Sequence, residues 1–414
     1  MILLTLLLGA CGGGGGGGSE PAADPPVRPT ELIARNDLEV VPNPGAGGRA
    51  GVLLRFVQLT DIHMTDESFR IFSKDLESLV DDFGDAIGFG GFQRAPEQEE
   101  RDVDVLAAFV ATINAMSPEA AFVVCTGDSA DSGITSEASA ARDGLDELRV
   151  PWLQTVGNHD DLALGVIPPD IASGVVSGDY MEMDDFVSLF FGDGHDPSER
   201  IAAGHGFGLN PRYDGSNPRS SRAYYAFDAA PPRDGNPAIR LVVLETTEEG
   251  GGANGSIGDE QLGWLRDELD ASRAKLVVLV SHHRLADLDS PFGVHDGGDV
   301  RRLLAQHPEV IAHVSGHTHI HSVTAHLGSA AGTGYWEIQG SSLIDQPQHG
   351  RVFEIASNGD GTGTLTTYVF EQRAHGALGE SARISADAAA RDPFDGSGDP
   401  EDRDVELAFP LPAG

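Results

Sequence analysis

Residues Val52 to His63 read Val-Leu-Leu-Arg-Phe-Val-Gln-Leu-Thr-Asp-Ile-His. The stretch from Val52 to Leu59 is apolar and β-branched enough for a largely buried strand, and it stops at a polar cluster, Asp61-Ile62-His63. That pattern recurs four more times along the chain. Gly127-Asp128-Ser129-Ala130-Asp131 follows the apolar run Ala121 to Cys125, and Gly157-Asn158-His159-Asp160 follows Trp152 to Val156. Ser281-His282-His283 follows Leu276 to Val280, and Gly316-His317-Thr318-His319 follows Val310 to Val314. Between the strands lie helical signals. Val103, Leu106, Val110 and Ile113 fall at helical spacing, and a helix from about Asp259 to Leu269 is opened by a capping box at Ser256 to Asp259. Arg240 to Leu244 reads as a further strand, and Tyr335 to Ile338, Arg351 to Ile355 and Thr364 to Phe370 as a later β-rich portion. Strand and helix alternating in this way predict α/β layers with a central sheet buried on both faces.

In an open α/β sheet, ligands bind at the carboxyl ends of the strands, so five loops bring their polar side chains to one edge. Imidazole nitrogens with carboxylate and amide oxygens, and no sulfur, suit borderline divalent ions such as Mn, Fe, Zn or Ni. Alternation along an extended segment places residues i and i+2 on one side, which brings Asp61 with His63, and His317 with His319, toward the same metal region. Seven ligands are too many for one tetrahedral ion and suit two ions sharing a carboxylate bridge. Such a pair clamps the oxygens of an in-line displacement and lowers the pKa of a bridging water to about 7.

The five segments, in this order, resemble the signature of the calcineurin-like metallophosphoesterases: D-x-H, G-D-x-x-D, G-N-H-D, a histidine after an apolar strand, and G-H-x-H. The match runs from about Arg55 to His319, with a closing sheet to Gln372. The resemblance implies a layered α/β/β/α sandwich with a binuclear site at the strand ends. Residue by residue, it implies that Asp61, His63 and His319 hold one divalent transition metal (Mn, Fe or Zn) and that Asn158, His282 and His317 hold the other, with Asp128 bridging. His282 is chosen because the family's histidine stands two residues before a proline; that place is Arg284 here, so His283 stays open. His159 is implied as the general acid facing the leaving oxygen, or as a group stabilising the phosphoryl charge, with Asp131 as the carboxylate that orients it and keeps its imidazole protonated, while a metal-activated hydroxide attacks phosphorus. Purple acid phosphatases place a tyrosine where this chain has Asp131, and protein Ser/Thr phosphatases follow that position with arginine, here Ser132. Further segments are similar to a branch of secreted bacterial enzymes: Ala203 to Phe207, Gln261 to Leu265, and Ser342 to Asp345 with Pro347 and Arg351.

Around this body, residues 51–375, the ends differ in character. Met1 to Ala10 reads as a lipoprotein signal peptide, too short to span a bilayer, and Leu8-Gly9-Ala10-Cys11 resembles a bacterial lipobox. No Lys or Arg precedes the apolar run, so the true start codon stays open. Residues 11–50, with seven glycines after Cys11, read as a Gly/Pro-rich tether. Residues 376–414 read as an acidic, weakly ordered tail. Export to the cell envelope, with membrane attachment only through a lipid at Cys11, is therefore expected.

The chain has 414 residues, 27 Lys+Arg and 65 Asp+Glu, for a net charge of −38. A field of that sign repels polyanions, which argues against nucleic acid as a partner and leaves a small phosphoester as the expected substrate. Two cysteines, Cys11 and Cys125, are too few for a disulfide framework or a thiolate metal site. Lone histidines are ordinarily surface or satisfied core residues, and His195, His295, His307, His313, His326, His349 and His375 are read so. His205 and His321 lie near site loops and are candidates for substrate contact; Arg222, Arg284 and Arg351 are candidate phosphate clamps. Residues 65–102 and 161–222 fit the strand pattern poorly and are expected to shape the substrate rim. The expected activity is hydrolysis of a phosphomonoester or phosphodiester. The alternative, a catalytically silent surface binding protein keeping the fold, predicts missing ligands, and all seven positions are filled.

Overall fold

The computed structural model describes residues 28–43, 50–66, 101–191, 223–248, 250–372 and 395–412, together with 45, 68–69 and 208–209. The strands, in chain order, are β1 (Ile33–Arg35), β2 (Gly51–Leu59), β3 (Val123–Cys125), β4 (Trp152–Gln154), β5 (Gly208–Leu209), β6 (Tyr225–Ala230) and β7 (Ile239–Val243). They continue with β8 (Leu276–Val280), β9 (Val310–Ser315), β10 (Ser322–Leu327), β11 (Gly334–Gln339), β12 (His349–Ser357), β13 (Thr362–Glu371) and β14 (Val405–Pro410). The longer helices are α1 (Asp102–Asn114), α2 (Thr135–Leu145), α3 (Met183–Phe191), α4 (Asp259–Ala271) and α5 (Gly297–Leu304).

Two seven-stranded sheets result, ordered β1-β14-β13-β12-β2-β3-β4 and β10-β11-β9-β8-β7-β6-β5. In the first, β2, β3 and β4 run parallel. In the second, β7, β8, β9 and β11 do. Strand β8 shows why both faces are covered. Leu276, Val278 and Val280 join the main core, while Val277 and Leu279 join a second cluster with Leu262, Leu265 and Leu269 of α4 and Val300, Leu303 and Leu304 of α5. A period of two thus sends alternate residues to opposite apolar layers. Each fully buried Val or Leu adds about 1.5–3 kcal/mol. The sheets meet across rings such as Phe122 and Phe227, 6.1 Å apart. On the outer side of the first sheet, α1 contributes Leu106, Phe109, Val110 and Ile113 to the main core. This is the expected α/β/β/α sandwich.

Several expectations need correction. Val103, assigned to the apolar face of α1, is 59% exposed, and Val105 packs in its place. The capping box at Ser256 does not form: Gly258 is the N-cap of α4, and the Ser256 hydroxyl instead donates to Glu248. Residues 33–35 of the presumed tether form β1, which pairs in parallel with β14. Residues 395–412 of the presumed weakly ordered tail are built into the first sheet through β14, whose Val405, Leu407 and Phe409 are buried. The signal peptide, Cys11 and residues 376–394 lie outside the described residues.

Candidate metal centre

All five polar clusters stand at the carboxyl ends of β2, β3, β4, β8 and β9. Their backbone is not extended. Asp61 (φ 51°), His63 (48°), Asp128 (53°), His317 (81°) and His319 (59°) all occupy the left-handed region. The i, i+2 alternation expected for these pairs is therefore replaced by tight reversals. Each such residue costs about 1–3 kcal/mol and persists only where its surroundings over-determine it. Here the loops are tied together: Asp61 N–H donates to the Gly127 carbonyl (3.1 Å), His63 N–H to Asp128 (2.9 Å) and Gly316 N–H to His282 (2.9 Å). Two glycines permit the close approach. A Cβ on Gly157 would overlap the Asp128 carboxylate, and one on Gly316 would overlap Thr60 and the Asp61 carboxylate.

The side chains converge. Asp128 Oδ2 lies 3.2 Å from His282 Nε2 and 3.7 Å from His63 Nε2, between two sets of donors. Asp61 Oδ1 lies 3.2 Å from His319 Nε2, itself 3.2 Å from His63 Nε2. On the other side, the Asn158 amide donates to the Gly165 carbonyl (2.9 Å), which turns its Oδ1 toward His282 Nε2 (3.0 Å) and His317 Nδ1 (3.1 Å). Ligand atoms of Asp61, His63, Asp128 and His319 lie within 4.8 Å of one another, as do those of His282, His283 and His317.

The two neighbouring histidines are distinguished by their partners. His282 Nδ1 meets the Thr126 carbonyl at 2.7 Å, which leaves Nε2 facing Asp128 and Asn158. His283 Nδ1 meets the Thr246 hydroxyl (2.8 Å) and Nε2 the Ala253 carbonyl (2.9 Å), so both of its ring nitrogens are engaged by the protein. His282 is the better donor.

A further layer was not found from sequence. Asp345 Oδ2 sits 2.9 Å from His319 Nδ1. Asp160 accepts from the backbone N–H groups of Ser129 (2.8 Å), Ala130 (3.0 Å) and Gly157 (2.9 Å), binding the second loop to the third. Carboxylates that orient imidazoles in this way are common behind metal ligands. The Asp131 carboxylate lies 3.0 Å from His63 Nδ1, whereas His159 Nδ1 meets the main-chain carbonyl of Asp131 at 2.6 Å. Residue 131 thus orients His159 with its backbone carbonyl, while its carboxylate, within 4.8 Å of ring nitrogens of both His63 and His159, lies nearest His63.

Three other candidate residues are engaged within the fold. Arg284 pairs with Asp287 (2.8 and 2.9 Å). Arg351 is buried within β12, and His321 is buried against it (3.0 Å) and Ser341 (3.1 Å), which removes both from the substrate mouth. Arg222, His195, His205 and His375 lie outside the described residues.

The charges show what the site wants. Burial works against a charged His319, yet the Asp61 and Asp345 carboxylates push it up to about 10. Burial likewise opposes His282, and Asp128 raises it to about 9. Burial and the neighbouring His282 push His283 down to about 3. Burial, then the charge of Asp128, raises Asp160 to about 7. A cluster that draws protons onto buried imidazoles has an excess of negative charge, and imidazole, carboxylate and amide donors without sulfur fit divalent transition metals. The residues present therefore fit two such ions.

Comparison with known proteins places the fold and the family. No curated protein sequence matches the chain significantly. Among solved structures, a dimetal phosphatase from Danio rerio aligns over 78% of this chain and 97% of its own, with a TM-score of 0.51 at 13% identity. A purple acid phosphatase from yellow lupin (Lupinus luteus) seeds aligns over 78% of this chain and 52% of its own, at TM-score 0.39 and 11% identity. The calcineurin-like phosphoesterase domain model matches residues 54–321, well over half of the chain, and contains every proposed ligand. The chain belongs to the calcineurin-like phosphoesterase family.

Proposed function

We propose that this protein hydrolyses small phosphoesters, monoesters or diesters, with two divalent transition-metal ions of the Mn, Fe or Zn type. The observation that carries the reading is the position of Asp128 between His63 and His282. In this reading Asp61, His63 and His319 hold one ion and Asn158, His282 and His317 the other, with Asp128 shared. When bound, such a pair supplies Lewis acidity to the phosphoryl oxygens and lowers the pKa of water to about 7. The chain's own residues do the positioning. Thr126 and Asp345 fix two imidazoles, His282 and His319, through their second ring nitrogens, and the Asp131 carboxylate faces Nδ1 of His63. His159, held at Nδ1 by the Asp131 carbonyl, keeps its other nitrogen to exchange a proton with the leaving oxygen.

The acidity of the chain disfavours nucleic acid as substrate. The lipobox-like Leu8 to Cys11 and the glycine run support attachment to the cell envelope by a lipid at Cys11, with no other membrane contact; no helix among the described residues is long and apolar enough to cross a membrane.

The reading is tested with protein lacking residues 1–27, loaded with Mn and assayed on p-nitrophenyl phosphate and bis-p-nitrophenyl phosphate. Turnover that Asp128→Ala abolishes is the expected result; equal rates for the two proteins would sink it.

A further inference from the structure

The C-terminal segment does more than complete a sheet: on its way to β14 it is bonded to the loop that carries His317 and His319. Gly396 joins two loops at once. Its carbonyl accepts from His321 N–H (3.0 Å), and its own N–H donates to the Gln346 carbonyl (3.2 Å) in the loop that carries Asp345. The contact is so close that a Cβ on Gly396 would overlap the carbonyl oxygens of His319 and Gln346.

Arg351 forms the second fixing point. Its guanidinium reaches His321 Nδ1 (3.0 Å), the Asp402 carbonyl (2.6 Å) and the Arg403 carbonyl (3.2 Å). These contacts are held firmly, because losing a hydrogen bond to a buried cation costs more than losing an ordinary one. Asp402 also accepts from Val323 N–H (2.7 Å), just past the ligand loop. Farther on, β14 is fastened by its ladder with β13 and by Trp336 Nε1, which donates to the Ala408 carbonyl (2.9 Å). The segment is thus anchored at its far end and pinned to the ligand loop at its near end.

We propose that residues 395–412 are a positioning strap for the His317–His321 loop, fixed at Gly396 and Arg351, so that tight binding of the ion held by Asp61, His63 and His319 depends on a segment lying beyond the family domain. The proposal rests on the two-metal reading above. Arg351 and Gly396 act through His319 and Asp345 and touch no substrate. Displacing partners behind a metal ligand typically costs ten- to hundred-fold in metal affinity.

The test is Zn2+ binding by the full chain, in competition with a chromophoric chelator, alongside thermal unfolding of the metal-free protein. Wild type binds two ions tightly. Gly396→Ala keeps one and weakens the other ten- to hundred-fold; in a His282→Ala background, which leaves only the ion at His319, the whole signal weakens. Gly334→Ala is the control, since its Cβ would overlap the His326 carbonyl oxygen at the end of the β10–β11 pair remote from the ligand loop, and meets neither that loop nor residues 395–412. It lowers the unfolding temperature and binds both ions as wild type does. Unchanged binding by Gly396→Ala overturns the strap, as does a loss by Gly334→Ala that matches Gly396→Ala at equal unfolding temperature. Wild type binding no zinc overturns the two-metal reading and the strap together.

Discussion

His282 presents its Nδ1 to the main-chain carbonyl of Thr126 at 2.7 Å, and that contact decides which atom of the imidazole faces Asp128 and Asn158. A carbonyl can only accept, so the proton stays on Nδ1 and the Nε2 lone pair is turned to the site. His283, one residue on, has neither nitrogen to spare.

The two histidines therefore fail differently when removed. His282→Ala is expected to bind one transition-metal ion per chain in place of two, with activity down at least a hundred-fold. His283→Ala keeps both ions and loses about 1–3 kcal/mol of stability, because Thr246 and Ala253 are left with unmet polar atoms. Elemental analysis and urea unfolding separate the outcomes; loss of an ion from His283→Ala would reverse the assignment.

The carboxylates behind the ligands give the next prediction. Asp345→Asn and Asp131→Asn each remove the charge that faces a ligand imidazole at Nδ1, at His319 and His63 respectively. Each is expected to weaken metal binding ten- to hundred-fold while leaving the fold intact. Isothermal titration with Mn2+ measures it, and unaltered affinity in both variants would show that the contacts do not orient the ligands.

Much of this centre was readable in the sequence because its ligands are local to strand ends. An apolar run such as Leu276 to Val280 marks a strand buried on both faces, and the polar residues that stop it identify themselves. The left-handed backbone at Asp61 and His63 was not readable, since contacts from Gly127 and Asp128 impose it from more than sixty residues away. Asp345 has no role legible in its own segment, because its partner His319 is met only in the fold. For β14 the signal is present in the sequence. Val405, Leu407 and Phe409 alternate with Glu406 and Ala408, the period of a strand with one buried face.

Metal binding must compete with protons. In the metal-free protein His282 and His319 titrate at about 9 and about 10, so both carry a proton at neutral pH. Ligation requires the lone pair, and each displaced proton makes apparent affinity rise about tenfold per pH unit until its own pKa is passed. Affinity for Mn2+ is expected to climb from pH 6 to about pH 9, with release of protons detectable by an indicator dye. A flat profile over that range would contradict it.

Stability has its own pH dependence, set away from the metal ligands. Glu337 on β11 is buried, with Oε1 accepting from Leu285 N–H (2.7 Å) and facing His313 Nδ1 (3.2 Å), and with Oε2 facing His326 Nε2 (2.6 Å). Burial alone would raise its pKa, but the bonds to His313 and His326 prevail and hold it well below the ordinary glutamate range. A folded-state pKa below the unfolded one contributes stability above the unfolded value, roughly pH 4.3, and that contribution is lost as the pH falls further. Glu337→Gln is therefore expected to cost about 2 kcal/mol at pH 7 and progressively less below pH 4, where the unfolded wild-type chain takes up a proton at this carboxyl that the folded state still excludes. Urea midpoints of both proteins at pH 7, 5 and 3.5 measure the difference. A gap that stayed constant down to pH 3.5 would assign the cost to shape and packing, because only the ionised carboxylate makes it depend on pH.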